Sequence, residues 1–210
     1  MNIGVLGTGN MATALGGTWA RAGHSVLFGS RDPERGRELA AKVGCGSTGG
    51  SYEDAAAFGE VVLLAVPYHV APAVLTAAGD LAGKTLVDIT SAWDTSVRPI
   101  QMAVGLTTSA AEELARLAPD AKVVKAFCHV FAEVILEPSF AGVKADAYYC
   151  GDDEEAKGRV AALARDAGLE PLDAGPLSSA RQLEPLGLLW MKLARFSGSG
   201  PQTAFKLLRR

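Results

Sequence analysis

What the chain lacks removes several function classes before any motif is considered. No apolar run reaches the roughly 18 residues needed to cross a bilayer. Met1 leads straight into "NIGVLG", a strand pattern rather than a charged leader. The expectation is a cytoplasmic protein with no membrane partner. The three cysteines, Cys45, Cys128 and Cys150, are odd in number, widely spaced and form no C-x-x-C pair, so neither disulfides nor a metal site is expected. Lys and Arg (20) do not outnumber Asp and Glu (23), which excludes the global positive field that draws proteins to nucleic acid. Any phosphate site must then be local. Internal repeats, low-complexity tracts and long linkers are also missing.

What is present is a core-forming pattern: 49% of the 210 residues are hydrophobic, enough for a sizeable interior. Short β-branched runs alternate with helical segments rich in Ala, Leu and charge, the mark of β-α-β units. Strands are predicted at 3–7, 25–30, 60–66, 85–90, 122–127, 146–150 and 169–173. Helices are predicted at 10–22, 33–43, 52–57, 69–78, 108–117, 153–166 and 178–195. The first five strands are apolar almost throughout, so both faces of their sheet should be covered. The fold class is α/β, a Rossmann-like, doubly wound, mainly parallel sheet with a small C-terminal helical extension. The expected division is a dinucleotide-binding domain over 1–150 and a strand and helix extension over 151–210 that packs on it and forms part of the substrate cleft.

Gly7-Thr8-Gly9-Asn10-Met11-Ala12 reads G-x-G-x-x-A. The first glycine permits a tight turn, the second lets the backbone approach a pyrophosphate, and the small Ala12 lets helix and strand pack closely. The motif follows a predicted strand, opens a predicted helix and starts a unit of about 30 residues, the context in which it signifies dinucleotide binding. The second strand should then end on an acid that holds a ribose diol, about 20 residues after the motif. Here it ends on Ser30 and Arg31. A hydroxyl and a planar guanidinium suit phosphate oxygens, so the site reads as one for NADP(H), with Arg35 one helical turn on as a second cation and Thr8 as a further donor. Asp32 before Pro33 reads as a helix cap.

The strand "VVLLAVP" brings Ala65, Val66, Pro67 and Tyr68 to the carboxyl end of the sheet, where the nicotinamide half belongs. Trp93, in the longest loop-like segment, offers an apolar wall for a flat ring or an interface residue. Cys128 and His129 are adjacent at a strand end, which turns them to opposite sides and disfavours a nucleophile and base pair. His129 is kept as a candidate polar contact or proton donor. Arg181 and Glu184, three apart on a predicted helix, are read as a pair along one face. Gly198 and Gly200 are read as a bend over a ligand, with fraying of a last helical turn as the alternative.

Beyond the glycine motif, "GSR" (29–31), "VPY" (66–68), "VKAF" (124–127), "CGDDEEAK" (150–157), "LDAGPLSSARQLEP" (172–185) and the tail "RFSGSG" before "FKLL" give the whole chain a resemblance to the NADPH-dependent F420 reductases. The resemblance implies an NADP-dependent oxidoreductase that exchanges a hydride between NADP(H) and the deazaflavin coenzyme F420, a small-molecule co-substrate. It implies that Ser30, Arg31 and Arg35 bind the 2′-phosphate. It places the deazaflavin beneath the loop after "VKAF" and near Gly198 and Gly200, and it carries the expectation of a homodimer. The chain departs from the family's pattern in the single glycine before Thr8, as in the ferric-reductase modules of membrane metalloreductases, in Cys128-His129, and in the loop "TSAWDTS". Those departures keep two alternatives: a reductase of an imine, a flavin or a ferric chelate, and a non-catalytic NADP sensor.

Overall fold

The computed structural model describes residues 1–208. In chain order the elements are β1 (Asn2–Leu6), α1 (Asn10–Arg21), β2 (Ser25–Gly29), α2 (Pro33–Val43), β3 (Thr48–Gly50), α3 (Tyr52–Phe58), β4 (Val61–Leu64), α4 (Ala71–Ala78), β5 (Thr85–Asp88), β6 (Trp93–Asp94), β7 (Gln101–Met102), α5 (Ala110–Leu117), β8 (Lys122–Ala126), α6 (Ala132–Leu136), β9 (Ser139–Phe140), β10 (Val143–Lys144), β11 (Asp146–Gly151), α7 (Glu154–Asp166), β12 (Glu170–Asp173) and α8 (Ala180–Phe196). Single turns of 3-10 helix, Tyr68–Val70 and Leu177–Ser179, precede α4 and α8.

Helix starts are set by local side chains. Asp32 accepts from Glu34 N with Pro33 at the first helical position. Ser51 and Asp54 form a reciprocal capping box, Ser109 caps α5, and Asp153 accepts from Ala156 N at 2.8 Å with Glu154 and Glu155 behind it in the first turn.

The main sheet has eight strands in the order β12-β11-β8-β5-β4-β1-β2-β3. From β3 to β8 every pair is parallel, the order of a doubly wound dinucleotide fold. β11 then pairs antiparallel with β8, and β12 parallel with β11. The boundary expected at residue 150 therefore falls inside β11, and the sheet runs across it. One face of the sheet packs on α1, α6 and α7 through Trp19, Phe28 and Val160, with Trp19 Nε1 donating to Leu163 O at 2.9 Å. The other packs on α3, α4 and α5 through Leu64, Leu75 and Leu114. A third, smaller cluster joins Leu188, Trp190 and Met191 of α8 to Trp93, Met102, Phe131 and Phe205.

Two kinds of element escape the sequence pattern. β3 is "TGG", a composition depleted in strands, and it forms because β2 templates it, Phe28 opposite Gly49. α2 rests on this edge at a distance only glycine allows: a Cβ on Gly49 would lie 2.2 Å from Gly36 C, and one on Gly36 would lie 2.4 Å from Phe28 O. The other kind is short: α6, the β6-β7 hairpin and the β9-β10 hairpin, too brief for periodicity to register.

Candidate functional site

The carboxyl ends of β1, β2 and β4 open into a cleft of about 750 Å³. Its floor is the glycine turn. Gly7 has φ +132°, and a Cβ there would lie 2.4 Å from Ala65 O, so glycine is required both by conformation and by the neighbouring strand. Gly9 precedes α1 and has open space where a side chain would be, which leaves the helix start accessible to an anion.

At the far end of the cleft lie Ser30, Arg31 and Arg35. Ser30 is buried, its N–H bonded to Gly50 O at 3.0 Å, while both arginines are exposed. Among the described residues neither arginine has an ion-pair or side-chain hydrogen-bond partner, whereas Arg37, on the same helix, is paired with Glu34. Asp32 shares the lining but is engaged in capping α2. Two uncommitted guanidinium groups facing a cleft with a glycine turn at its other end fit a dinucleotide that carries a further phosphate.

Ala65, Val66 and Pro67 form the opposite lip, followed by Val70, Ala73, Val74 and Ala77 along α4. Of the expected cofactor residues, Gly7, Thr8, Gly9, Ser30, Arg31, Arg35, Ala65, Val66 and Pro67 line the cleft together; Asn10, Met11 and Tyr68 do not. Ser51, Tyr52 and Glu53 also line it and were missed, because they follow the strand that the sequence pattern hides. Tyr68 turns inward instead and donates its hydroxyl to Glu113 on α5. Burial, and then Glu113, push its pKa well above the usual tyrosine range, so it remains a donor.

Beyond this lip, at the ends of β5 and β8, the chemistry is of another kind. Lys125 is fully buried, and its Nζ donates to Asp88 Oδ2 at 2.9 Å and to Thr90 O at 2.6 Å and lies 3.2 Å from Glu184 Oε1. Burial works against the ammonium charge, but Asp88 and Glu184 outweigh it and hold the lysine charged. Glu184 also accepts from Ala110 N (3.0 Å) and Ala111 N (3.1 Å) at the start of α5. The expected pairing of Arg181 with Glu184 is thereby corrected: Arg181 makes a bidentate contact with Glu112, at 2.6 and 2.9 Å. Each partner is drawn to an opposite charge on α5 or the sheet rather than along its own helix.

Of the expected acceptor-side residues, Trp93, Cys128, His129, Gly198 and Gly200, none lines the cleft. His129 is fully buried. Its Nε2 lies 3.3 Å from Asp146 O and 3.2 Å from Tyr148 N, and burial lowers its pKa to about 4, leaving a neutral ring. Cys128 is held against Leu183 O, and burial pushes its thiol up to about 12, which removes it as a nucleophile near neutral pH. Trp93 belongs to the β6-β7 hairpin and packs with the α8 cluster; among the described residues its Nε1 and the Thr90 hydroxyl are buried without a hydrogen-bond partner. Gly198 and Gly200, at φ +78° and +74°, end α8, Gly200 N returning to Ala194 O. The chain then turns back so that Thr203 O accepts from Trp190 Nε1 and Lys206 reaches Asp146. Among the described residues no group of His, Cys, Asp and Glu could hold a metal, and no helix is long and apolar enough to cross a membrane.

Comparison with known proteins places this geometry in context. A family model described as coenzyme F420-dependent NADP oxidoreductase matches residues 2–92. Metalloreductase STEAP3 of Rattus norvegicus is 36% identical over 89% of this chain, yet the chain spans only 37% of that protein. The F420-dependent NADP reductase of Methanothermobacter thermautotrophicus is 32% identical, with 92% of this chain and 89% of that protein aligned. A crystal structure of a candidate F420-dependent NADP reductase from Arthrobacter sp. FB24 superposes with a TM-score of 0.91 at 32% identity, covering 100% of both chains.

Proposed function

Because the chain belongs to the F420-dependent NADP reductase family, we propose that it is an NADPH-dependent oxidoreductase that transfers a hydride between NADP(H) and the deazaflavin coenzyme F420. The observation that carries the cofactor half is the pair of unpartnered guanidinium groups, Arg31 and Arg35, facing the glycine turn across one cleft. In this reading Ser30, Arg31, Arg35 and Thr8 take the 2′-phosphate, the Gly7 to Gly9 turn takes the pyrophosphate, and Ala65 to Pro67 border the nicotinamide. The dinucleotide supplies or takes up the hydride. The protein's part is to bind, orient and exclude water, which is sufficient for transfer between two stacked rings.

In this reading the acceptor approaches from the carboxyl ends of β5 and β8, on the side of the loops that carry Trp93 and His129 and of the segment with Gly198 and Gly200 that follows α8. His129, neutral and enclosed, supports that side through Tyr148 and Asp146. A homodimer fits the exposed Leu189 and Phe196 on α8, and a cytoplasmic small-molecule enzyme fits the unpaired cysteines.

The test is spectroscopic. Protein, NADPH and oxidised F420 are mixed, and the visible absorption of the deazaflavin is followed. Its bleaching together with NADPH oxidation is the expected result. No bleaching, with NADPH consumed only on addition of a flavin, an imine or a ferric chelate, replaces the acceptor; tight NADPH binding without turnover on any of them replaces the enzyme with a sensor.

A further inference from the structure

The lip of the cleft is a weak piece of backbone. Ala65 N still bonds to Leu6 O at 2.9 Å, but past it the chain leaves the sheet, Pro67 contributes no N–H, and the turn is closed by local backbone bonds, Val70 N to Pro67 O at 3.1 Å and Ala71 N to Tyr68 O. Val66 and Pro67 line the cleft, so the position of this turn sets where the nicotinamide half of a bound dinucleotide lies. Val66 and Tyr68 pack against the apolar cluster below, and the Tyr68 hydroxyl ties the turn to α5 by donating to Glu113.

Glu113 stands in the first turn of α5, where a carboxylate suits the helix dipole. Its neighbour Glu112 is bound by Arg181 and accepts from Ser109 Oγ, which ties α8 to α5. Glu113 is half-buried and, among the described residues, has no cation within ion-pair distance. A carboxylate turned to solvent would serve the dipole as well; this one is turned to the Tyr68 hydroxyl. Its helix is also fixed to an unusual degree. The first N–H groups of α5 bond to Glu184, Glu184 sits on Lys125, and Lys125 spans to Asp88 on the neighbouring strand. Polar contacts thus anchor the start of α5 to the centre of the sheet, and from the same helix turn Glu113 reaches Tyr68 at the lip.

We propose that Glu113 is a positioning residue for hydride transfer, acting through Tyr68 to set the cleft lip against the nicotinamide nucleoside of NADP(H). The proposal rests on the reading of the cleft as an NADP site. The adenosine end, held by Ser30, Arg31 and Arg35 on the other side of the glycine turn, is independent of this contact. A fragment that contains only the phosphorylated adenosine should then be blind to Glu113, while the complete dinucleotide should not.

The experiment is calorimetric titration of the full chain with NADPH and with 2′,5′-ADP. Tyr68→Phe and Glu113→Ala are each expected to weaken NADPH about tenfold, the loss of one hydrogen bond to a charged group, and to leave 2′,5′-ADP within about twofold. The double variant should be no weaker than either single one, because the two residues act as a unit. Glu113→Gln, which still accepts the bond, should recover most of the NADPH affinity. Equal weakening of both ligands, additive losses in the double variant, or unchanged NADPH affinity in Tyr68→Phe would each overturn the proposal. Failure of the unaltered protein to bind 2′,5′-ADP would instead overturn the reading of the cleft, and the proposal with it.

Discussion

The nucleotide cleft and the buried group beyond its lip hold their positive charges in opposite ways. At the β2 end Arg31 and Arg35 stand exposed and, among the described residues, without a partner. At the β5 and β8 end Lys125 is sealed from solvent and bonded on three sides. The contrast separates two uses of a cation. An unsatisfied exposed charge is available to a ligand and adds little to stability, whereas a buried one is consumed in fixing the protein's own backbone. Its removal leaves charges of the other sign stranded.

Breaking the buried end should produce the largest effect. Glu184→Ala removes one of the two carboxylates that neutralise Lys125 and leaves two α5 amides without acceptors, so a stability loss of about 3–5 kcal/mol is expected in denaturant unfolding. A loss below about 1 kcal/mol would show that the network relaxes at no cost.

The next effect appears on acidification. Burial lowers the folded pKa of His129 from 6.5 to about 4. Its contribution is therefore complete above the unfolded value and is lost as pH falls through the window from about 6.5 to 4, where the unfolded chain takes up a proton that the folded chain refuses. The total is roughly 3 kcal/mol. His129→Gln should flatten that part of the stability profile.

At the open end the effect moves from stability to ligand. Arg31→Glu is expected to weaken NADPH about 100-fold with little change in melting temperature, and to leave NADH binding unchanged or improved. Arg37→Ala, which removes the exposed partner of Glu34, should change stability by less than about 0.5 kcal/mol and NADPH affinity hardly at all. A large effect there would erase the distinction between free and committed cations.

The open end was also the legible one. The glycine turn, the strand ending on Ser30 and Arg31, and the Asp32 cap are set by residues close in sequence, so spacing and residue type are enough to read them. The seven strands and seven helices expected from periodicity all appear, with shifted ends. The buried end was opaque because its partners come from β5, α5, β8 and α8, and no local pattern says that Glu184 will meet Lys125 rather than Arg181. Tyr68 shows the same limit: its position in "VPY" marked the lip, but that it faces Glu113 depends on a helix some 45 positions away. Ser51, Tyr52 and Glu53 were hidden for a third reason, since the strand that delivers them is formed by its neighbour.

The bare contact between Gly36 and Gly49 sets a practical limit on retooling coenzyme preference. The helix that carries Arg35 touches the edge strand backbone to backbone at this point, while Leu39 and Ala40 seat its next turn in the core. Swapping Arg31 or Arg35 leaves that seating intact. Grafting a loop from an enzyme that uses the other coenzyme, with even an alanine at either glycine, would jack the helix outward and carry the whole anchoring corner away from the crevice.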